Sequence, residues 1–443
     1  MEPSPLKQRI PRFVSVLQEF SIPLLGGVVV AMLAANLAPE WYEHAIHWAP
    51  FGDVSLLGHK LTLHLIVNDL FMVLFFGIAA KEITESCLPG GNLNPLAKAV
   101  NPLLATLGGV VGPVAVFFCG LALLFAFDVY DPAVDDRAML VRGWGVPTAT
   151  DIALAWLVAR TVFGRGHPAV NFLLLLAVAD DAIGLGIIAV FYGDPVNPVR
   201  PEFLLLVGAA MGVAFAMRRL KVNHWLPYIT VAGPLSWVGL VMAHLHPALA
   251  LVFIVPFLPP PQRDVGMFAA GDEVDLMGEE MADELHIGHS PLHQFEHQLK
   301  AVVDFGLFFF AFTNAGVALS GIGPMTWLIL SSLVIGKVVG VTALGLIAIK
   351  LGFPLPDRMG LRELVMAGFV AALGLTVALF VAGAAFIDPV LLGQAKMGAL
   401  FSGFVGLAAI LLGRLLNFGR ERVEADRGPA KATPLDQMTR PSD

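Results

Sequence analysis

The chain has 443 residues, of which 57% are hydrophobic and only 14% charged, with a mean hydropathy of +0.76 and a formal net charge of -8. These values exclude a soluble globular domain and give no basic surface for nucleic acid. They describe an all-α integral membrane protein, a bundle of helices in lipid. Cys87 and Cys119 are the only cysteines, too few for a disulfide framework.

A spanning helix needs about 20 mostly apolar residues, and the chain offers twelve candidates: 20 to 38, 61 to 80, 102 to 127, 143 to 161, 169 to 192, 203 to 217, 226 to 244, 247 to 258, 303 to 322, 326 to 349, 363 to 387 and 395 to 416. The segment before them, residues 1–19, is basic and proline-containing, continues into a full span and carries no clear cleavage site, so it reads as a cytoplasmic N-terminal segment. With an even number of spans both termini lie on one side. Lysine and arginine gather in the segments on that side (among them Lys7, Arg9, Arg12, Lys81, Arg160, Arg218, Arg219 and Lys300), whereas the opposite side holds only Lys60, Arg137, Arg142, Arg200 and Lys396. The positive-inside rule therefore places both termini in the cytoplasm.

The second candidate contains Asn68 and Asp69 and ends near Glu82 and Glu85, where charges at a span end are expected. A lone buried acid beside a polar neighbour, such as Asp69, is commonly protonated and hydrogen-bonded. The fourth candidate is different. Gly145, Pro147, Thr148 and Thr150 interrupt it directly before Asp151, and a helix broken inside a membrane needs neighbours or a wet cavity to satisfy its freed backbone. Its half-helix ends carry about +0.5 and -0.5 of a charge. Asp151 is suited to offset the positive ends and Lys337, far along the chain, the negative ones, while Thr150 can offer its hydroxyl to the backbone or to an ion.

Asp180 and Asp181 lie within Phe172 to Tyr192, otherwise apolar enough for hydrocarbon. A charge at the bilayer centre costs roughly 3 kcal/mol on the lenient insertion scale, so adjacent acids point to function. On a helix their side chains diverge by about 100°, so one should bind a cation and the other should meet a partner. A hard, oxygen-seeking sodium ion competes with protons for such carboxylates. Asp180, Asp181, Asp151, Thr150 and Lys337 form the candidate cation- and proton-binding set, with Asp180 and Asp181 as the ligands of the transported ion. The bland alternative is a buried salt-bridge network that fixes packing.

His246, beside His244 and Pro247, is either a pH-responsive group or a cap. Residues 259–300 form the one long internal loop, opened by Pro259, Pro260 and Pro261 and rich in acids (Asp272, Glu273, Asp275, Glu279, Glu280, Asp283, Glu284). His286, His289, His293 and His297 give a weak metal-like spacing there, and Glu296 and Lys300 end the loop. With Glu82, Glu85 and His246, Glu296 is a candidate for gating or pH response. Lys337 interrupts the tenth candidate alone. Gly374, Leu375 and Thr376 break the eleventh as the Pro147 region breaks the fourth, and paired interruptions in two halves point to inverted-topology repeats with two crossing helices. The transmembrane domain is expected over 20–418, and residues 419–443 read as a disordered cytoplasmic tail.

From about Phe20 to Leu416 the chain resembles the NhaA family of bacterial sodium/proton antiporters. The resemblance is carried by Gly143-Trp144-Gly145-Val146-Pro147-Thr148-Ala149-Thr150-Asp151-Ile152-Ala153, Ala179-Asp180-Asp181, Phe191-Tyr192, Phe312-Thr313-Asn314-Ala315-Gly316-Val317, Ile335-Gly336-Lys337 and Gly374-Leu375-Thr376. That family is itself a standard example of inverted repeats, so the repeat expectation is not independent of it. The resemblance implies an electrogenic exchanger of the inner membrane, bringing two protons in for each sodium or lithium ion sent out, a secondary transporter and not an enzyme. It implies no cofactor besides the transported ions, a surrounding of membrane lipid, and a homodimer. Asp181 is similar to the family's main cation ligand and Asp180 to the acid that pairs with Lys337. Thr150 and Asp151 match the helix crossing, and Glu82, Glu296 and His246 fall on positions tied to cation entry or pH response. Two other functions fit the residues: a same-fold proton-coupled transporter of another small solute, and a non-transporting membrane sensor of pH or ions.

Overall fold

The computed structural model describes residues 21–56, 59–88, 93, 96–164, 166–193, 197–260, 290–416 and 418. The expected N-terminal segment, most of the acidic loop with His286 and His289, and the tail from 419 lie outside them. The described chain is helical except for a two-residue hairpin, β1 (Ser55–Leu56) and β2 (His59–Lys60), paired antiparallel.

Helices α1 (Ile22–Leu37) and α2 (Pro39–Ile46) precede the hairpin. Then come α3 (Leu63–Cys87), α4 (Leu96–Ala126), the bent pair α5 (Arg137–Thr148) and α6 (Ile152–Phe163), α7 (Pro168–Phe191), α8 (Pro201–Arg219) and α9 (Trp225–Met242). The second part holds α10 (Pro291–Asn314), α11 (Pro324–Lys350), the bent pair α12 (Leu361–Ala371) and α13 (Thr376–Ala385), and α14 (Pro389–Leu415).

Seven described helices are long and apolar enough to cross a membrane, nine if each bent pair is one span. The three other predicted spans differ for physical reasons. At 16 residues, α1 is about 24 Å long, short of a hydrocarbon core of about 30 Å. Predicted span 247 to 258 is no α-helix but tight turns, with 3-10 segments at Pro247–Leu249 and Val255–Phe257. Predicted span 303 to 322 belongs to a helix that starts at Pro291, so His293, Glu296, His297 and Lys300 lie on its first turns and ends at Asn314.

Caps set these boundaries. Ser290 accepts from the His293 N–H at 3.2 Å and precedes Pro291, and Asp388 accepts from Leu391 at 2.8 Å and precedes Pro389. An oxygen-bearing N-cap followed by proline at the first helical position satisfies donors that the helix cannot.

Helices α4 and α11 approach backbone to backbone. Gly108 and Gly112 on one helix meet Gly336 and Gly340 on the other, and a Cβ at Gly108 or Gly340 would run into the carbonyl of its partner, as one at Gly112 would into that of Gly336. These are two facing small-xxx-small stripes, which let backbones touch where lipid supplies no hydrophobic driving force. Lys337 follows Gly336, so this contact fixes the level of its side chain.

Candidate ion-binding site

The bent pairs turn by 46° between α5 and α6 and by 50° between α12 and α13, and their breaks cross. The Asp151 N–H donates to the Leu373 carbonyl at 2.6 Å and the Gly374 N–H to Ser402 Oγ at 3.1 Å. A Cβ on Gly374 would press against the Ala149 carbonyl, so only glycine permits this approach. Pro147 removes one donor from the last turn of α5, which tightens to a 3-10 helix over Arg142–Thr148.

Four half-helix ends meet there, and three side chains answer them. Asp151 caps two N-termini: Oδ1 accepts from the Leu154 N–H of α6 at 3.1 Å, and Oδ2 from the N–H and hydroxyl of Thr376, first residue of α13, at 3.3 and 3.0 Å. At the C-terminal ends, Lys337 Nζ donates to the Thr148 carbonyl at 2.7 Å, and the Thr150 hydroxyl donates to the Ala371 carbonyl at 2.9 Å. Negative charge faces the amides and positive charge the carbonyls, as the macrodipoles require.

Lys337 is fully buried and uses all three of its donors: Thr148 O, Thr150 Oγ1 and Asp180 Oδ2, each at 2.7 Å. A desolvated ammonium persists only when so completely bonded. Asp180 gives Lys337 one oxygen, and its Oδ1 has no partner. Next along α7, Asp181 points elsewhere. It is 9% exposed and its Oδ1 is likewise unpartnered. Two adjacent buried carboxylates thus each keep an oxygen with nothing bound, and a proton or a hard cation satisfies such atoms.

Glu82, Glu85 and Glu296 lie in a second cluster. Lys81 Nζ is held between Glu85, at 2.6 Å, and Glu296, while Lys300 stands 3.7 Å from the other oxygen of Glu296. Donor atoms of Glu85, His293 and Glu296 lie within 4.8 Å of one another, spacing that suits a metal ion. The Lys81 ammonium bonds both carboxylates, however, so the cation of this cluster is the lysine, and it ties α3 to α10. Glu82 follows Lys81 on α3. His246 stands apart as a cap: it accepts from the Ala248 N–H at 3.4 Å, with its ring 4.5 Å from that of Phe380.

Sequence reasoning did not single out Lys81 or Thr376 as site residues. Lys81, 2% exposed, was foreshadowed by the Lys-Glu spacing of four on a helix. Thr376 was named only as part of a break.

The sequence profile of a family described as Na+/H+ antiporter 1 matches residues 12–415. A protein of Geobacter sulfurreducens named Na(+)/H(+) antiporter NhaA is 58% identical over 407 residues, covering 92% of this chain and 98% of that one. A protein of the same name from Geobacter metallireducens is 56% identical with the same coverage. Na(+)/H(+) antiporter NhaA 1 of Pelobacter propionicus is 56% identical over 92% of this chain and 99% of its own.

Proposed function

Because the chain belongs to the Na+/H+ antiporter 1 family, it is a sodium/proton antiporter, and we propose that Asp181 and Asp180 are the groups at which the two ions compete. The observation that carries this reading is the pair of unpartnered Oδ1 atoms on adjacent buried carboxylates. Sodium, as cargo, takes these oxygens when protons leave them, and protons displace it in turn. Lys337 neutralises one carboxylate and Asp151 is committed to two helix N-termini, so the remaining negative charge resides on Asp181. Thr150 holds Lys337 and the end of α12 together.

In this reading the crossing halves rock and open the site to one side at a time. Two protons against one sodium or lithium ion would carry one net charge per cycle, so the membrane potential drives it, at about 2.3 kcal/mol per 100 mV. Twelve spans follow if α1, α10 and the turns at 247 to 258 each cross the bilayer, with inverted repeats relating the two breaks. The apolar helices and the family support multi-pass insertion in a bacterial inner membrane, the lysine and arginine distribution supports cytoplasmic termini, and assembly as a homodimer completes the proposal. Glu82, Glu85 and Glu296 then stand near the cytoplasmic entry.

The test is exchange in proteoliposomes read by internal pH. Asp181→Asn is expected to abolish proton release on sodium addition. Sodium-for-proton exchange at the parental rate in that variant overturns the assignment.

A further inference from the structure

The Phe191-Tyr192 pair stands out in the sequence, yet cation chemistry makes no use of it. Tyr192 directly follows α7, is 2% exposed, and its hydroxyl makes two hydrogen bonds to a neighbouring helix. It accepts from the Gly145 N–H at 2.8 Å and donates to the Arg142 carbonyl at 2.6 Å. Residues 142 and 145 are the acceptor and donor that one i to i+3 rung of a 3-10 helix joins, so the phenol is seated on a rung of the interrupted helix. The approach is close: a Cβ on Gly145 would strike the ring and hydroxyl of Tyr192, and Trp144 packs on Phe191 and Tyr192 with ring centroids 5.2 and 6.2 Å away. Arg142 extends the contact, its Nε donating to the carbonyl of Ala385, the last residue of α13, at 3.0 Å.

The last turn of α5 is therefore attached to α7 at two levels. At one, Thr148 and Asp180 share Lys337; at the other, about three turns along α7, Tyr192 grips Gly145 and Arg142. Three residues of 3-10 helix, about 6 Å, separate Gly145 from Thr148. We infer that Tyr192 is a positioning residue for ion exchange: its hydroxyl sets the register of α5 against α7, and so the place where the Thr148 carbonyl and Thr150 hydroxyl receive Lys337. This rests on the proposed cation site, since the register matters to transport only if the Lys337 and Asp180 pair shapes that site.

Tyr192→Phe keeps the ring packing and removes both hydrogen bonds. In proteoliposomes its apparent KM for sodium is expected to rise roughly threefold to tenfold with maximal rate within about twofold, the size of effect that one or two lost hydrogen bonds give. Amide hydrogen exchange is expected to quicken over residues 143–150 and stay unchanged in α11 and α14. An unchanged KM, or faster exchange throughout the bundle, overturns the inference, the latter because it marks general loosening. Gly145→Ala displaces the ring from the other side and must raise KM likewise; it decides the matter if the phenylalanine variant does not reach the membrane. If Asp181→Asn keeps full exchange, the cation assignment fails, yet the local hydrogen-exchange result still reports whether Tyr192 holds α5.

Discussion

Among the described residues two buried lysines are bonded to carboxylates, and they are used differently. Lys81 sits between Glu85 and Glu296, with Lys300 nearby. Lys337 has one carboxylate, Asp180, and two uncharged oxygens, and a second acid beside that carboxylate has no lysine. In the first cluster the lysine bonds a carboxylate on each side, Glu85 and Glu296. At the second, two of the lysine's three contacts go to uncharged oxygens, so negative charge is left over at Asp181. An ion site in lipid is found where pairing is incomplete, and a fully paired cluster acts as a fastener.

The contrast predicts an order of costs. Lys337→Ala strands Asp180 and the Thr148 carbonyl in a fully buried place and is expected to destabilise the protein by about 5 kcal/mol, read as a large fall in the melting temperature of the purified protein together with loss of exchange. Lys81→Ala leaves Glu85 facing Glu296, but Lys300 and partial exposure of Glu296 soften the effect to about 3 kcal/mol; equal costs for the two substitutions would break the comparison. The smallest effect belongs to the exposed pair Asp53 and Lys60, 2.9 Å apart beside the hairpin. The Lys60 ammonium, by hydrogen bond and charge, holds the Asp53 carboxyl below its ordinary 3.8. A depressed carboxyl favours the folded hairpin above that value, and the contribution fades as pH falls through the folded one. Lys60→Ala should return the Asp53 titration, followed by NMR, to the ordinary range, and high salt should act in the same direction.

Much of the crossing was legible because membranes make charge conspicuous. Asp151, Asp180, Asp181 and Lys337 interrupt apolar runs, and the requirement that carboxylates meet helix N-termini and ammonium groups C-termini is a matter of sign alone. Hydropathy was a poor guide to helix ends. The start of α10 was hidden by His293, Glu296 and Lys300, although Ser290-Pro291 carried the capping signal. Asp388-Pro389 gave the same signal for α14. The distant partner of Lys81 was not legible, since Glu296 lies 215 residues away and nothing local couples them. Nor was the hold of Tyr192 on Gly145, because a C-terminal aromatic reads as a membrane-interface residue until its hydroxyl is seen to meet a backbone.

Where the two glycine stripes touch, carbonyl lies against α-carbon with no side chain between them to change rotamer. Such a seam cannot shear by small steps. Helices α4 and α11 must travel through the transport cycle as one rigid plank, carrying Lys337 with them, and whatever slides to admit ions from alternate sides does so along other surfaces.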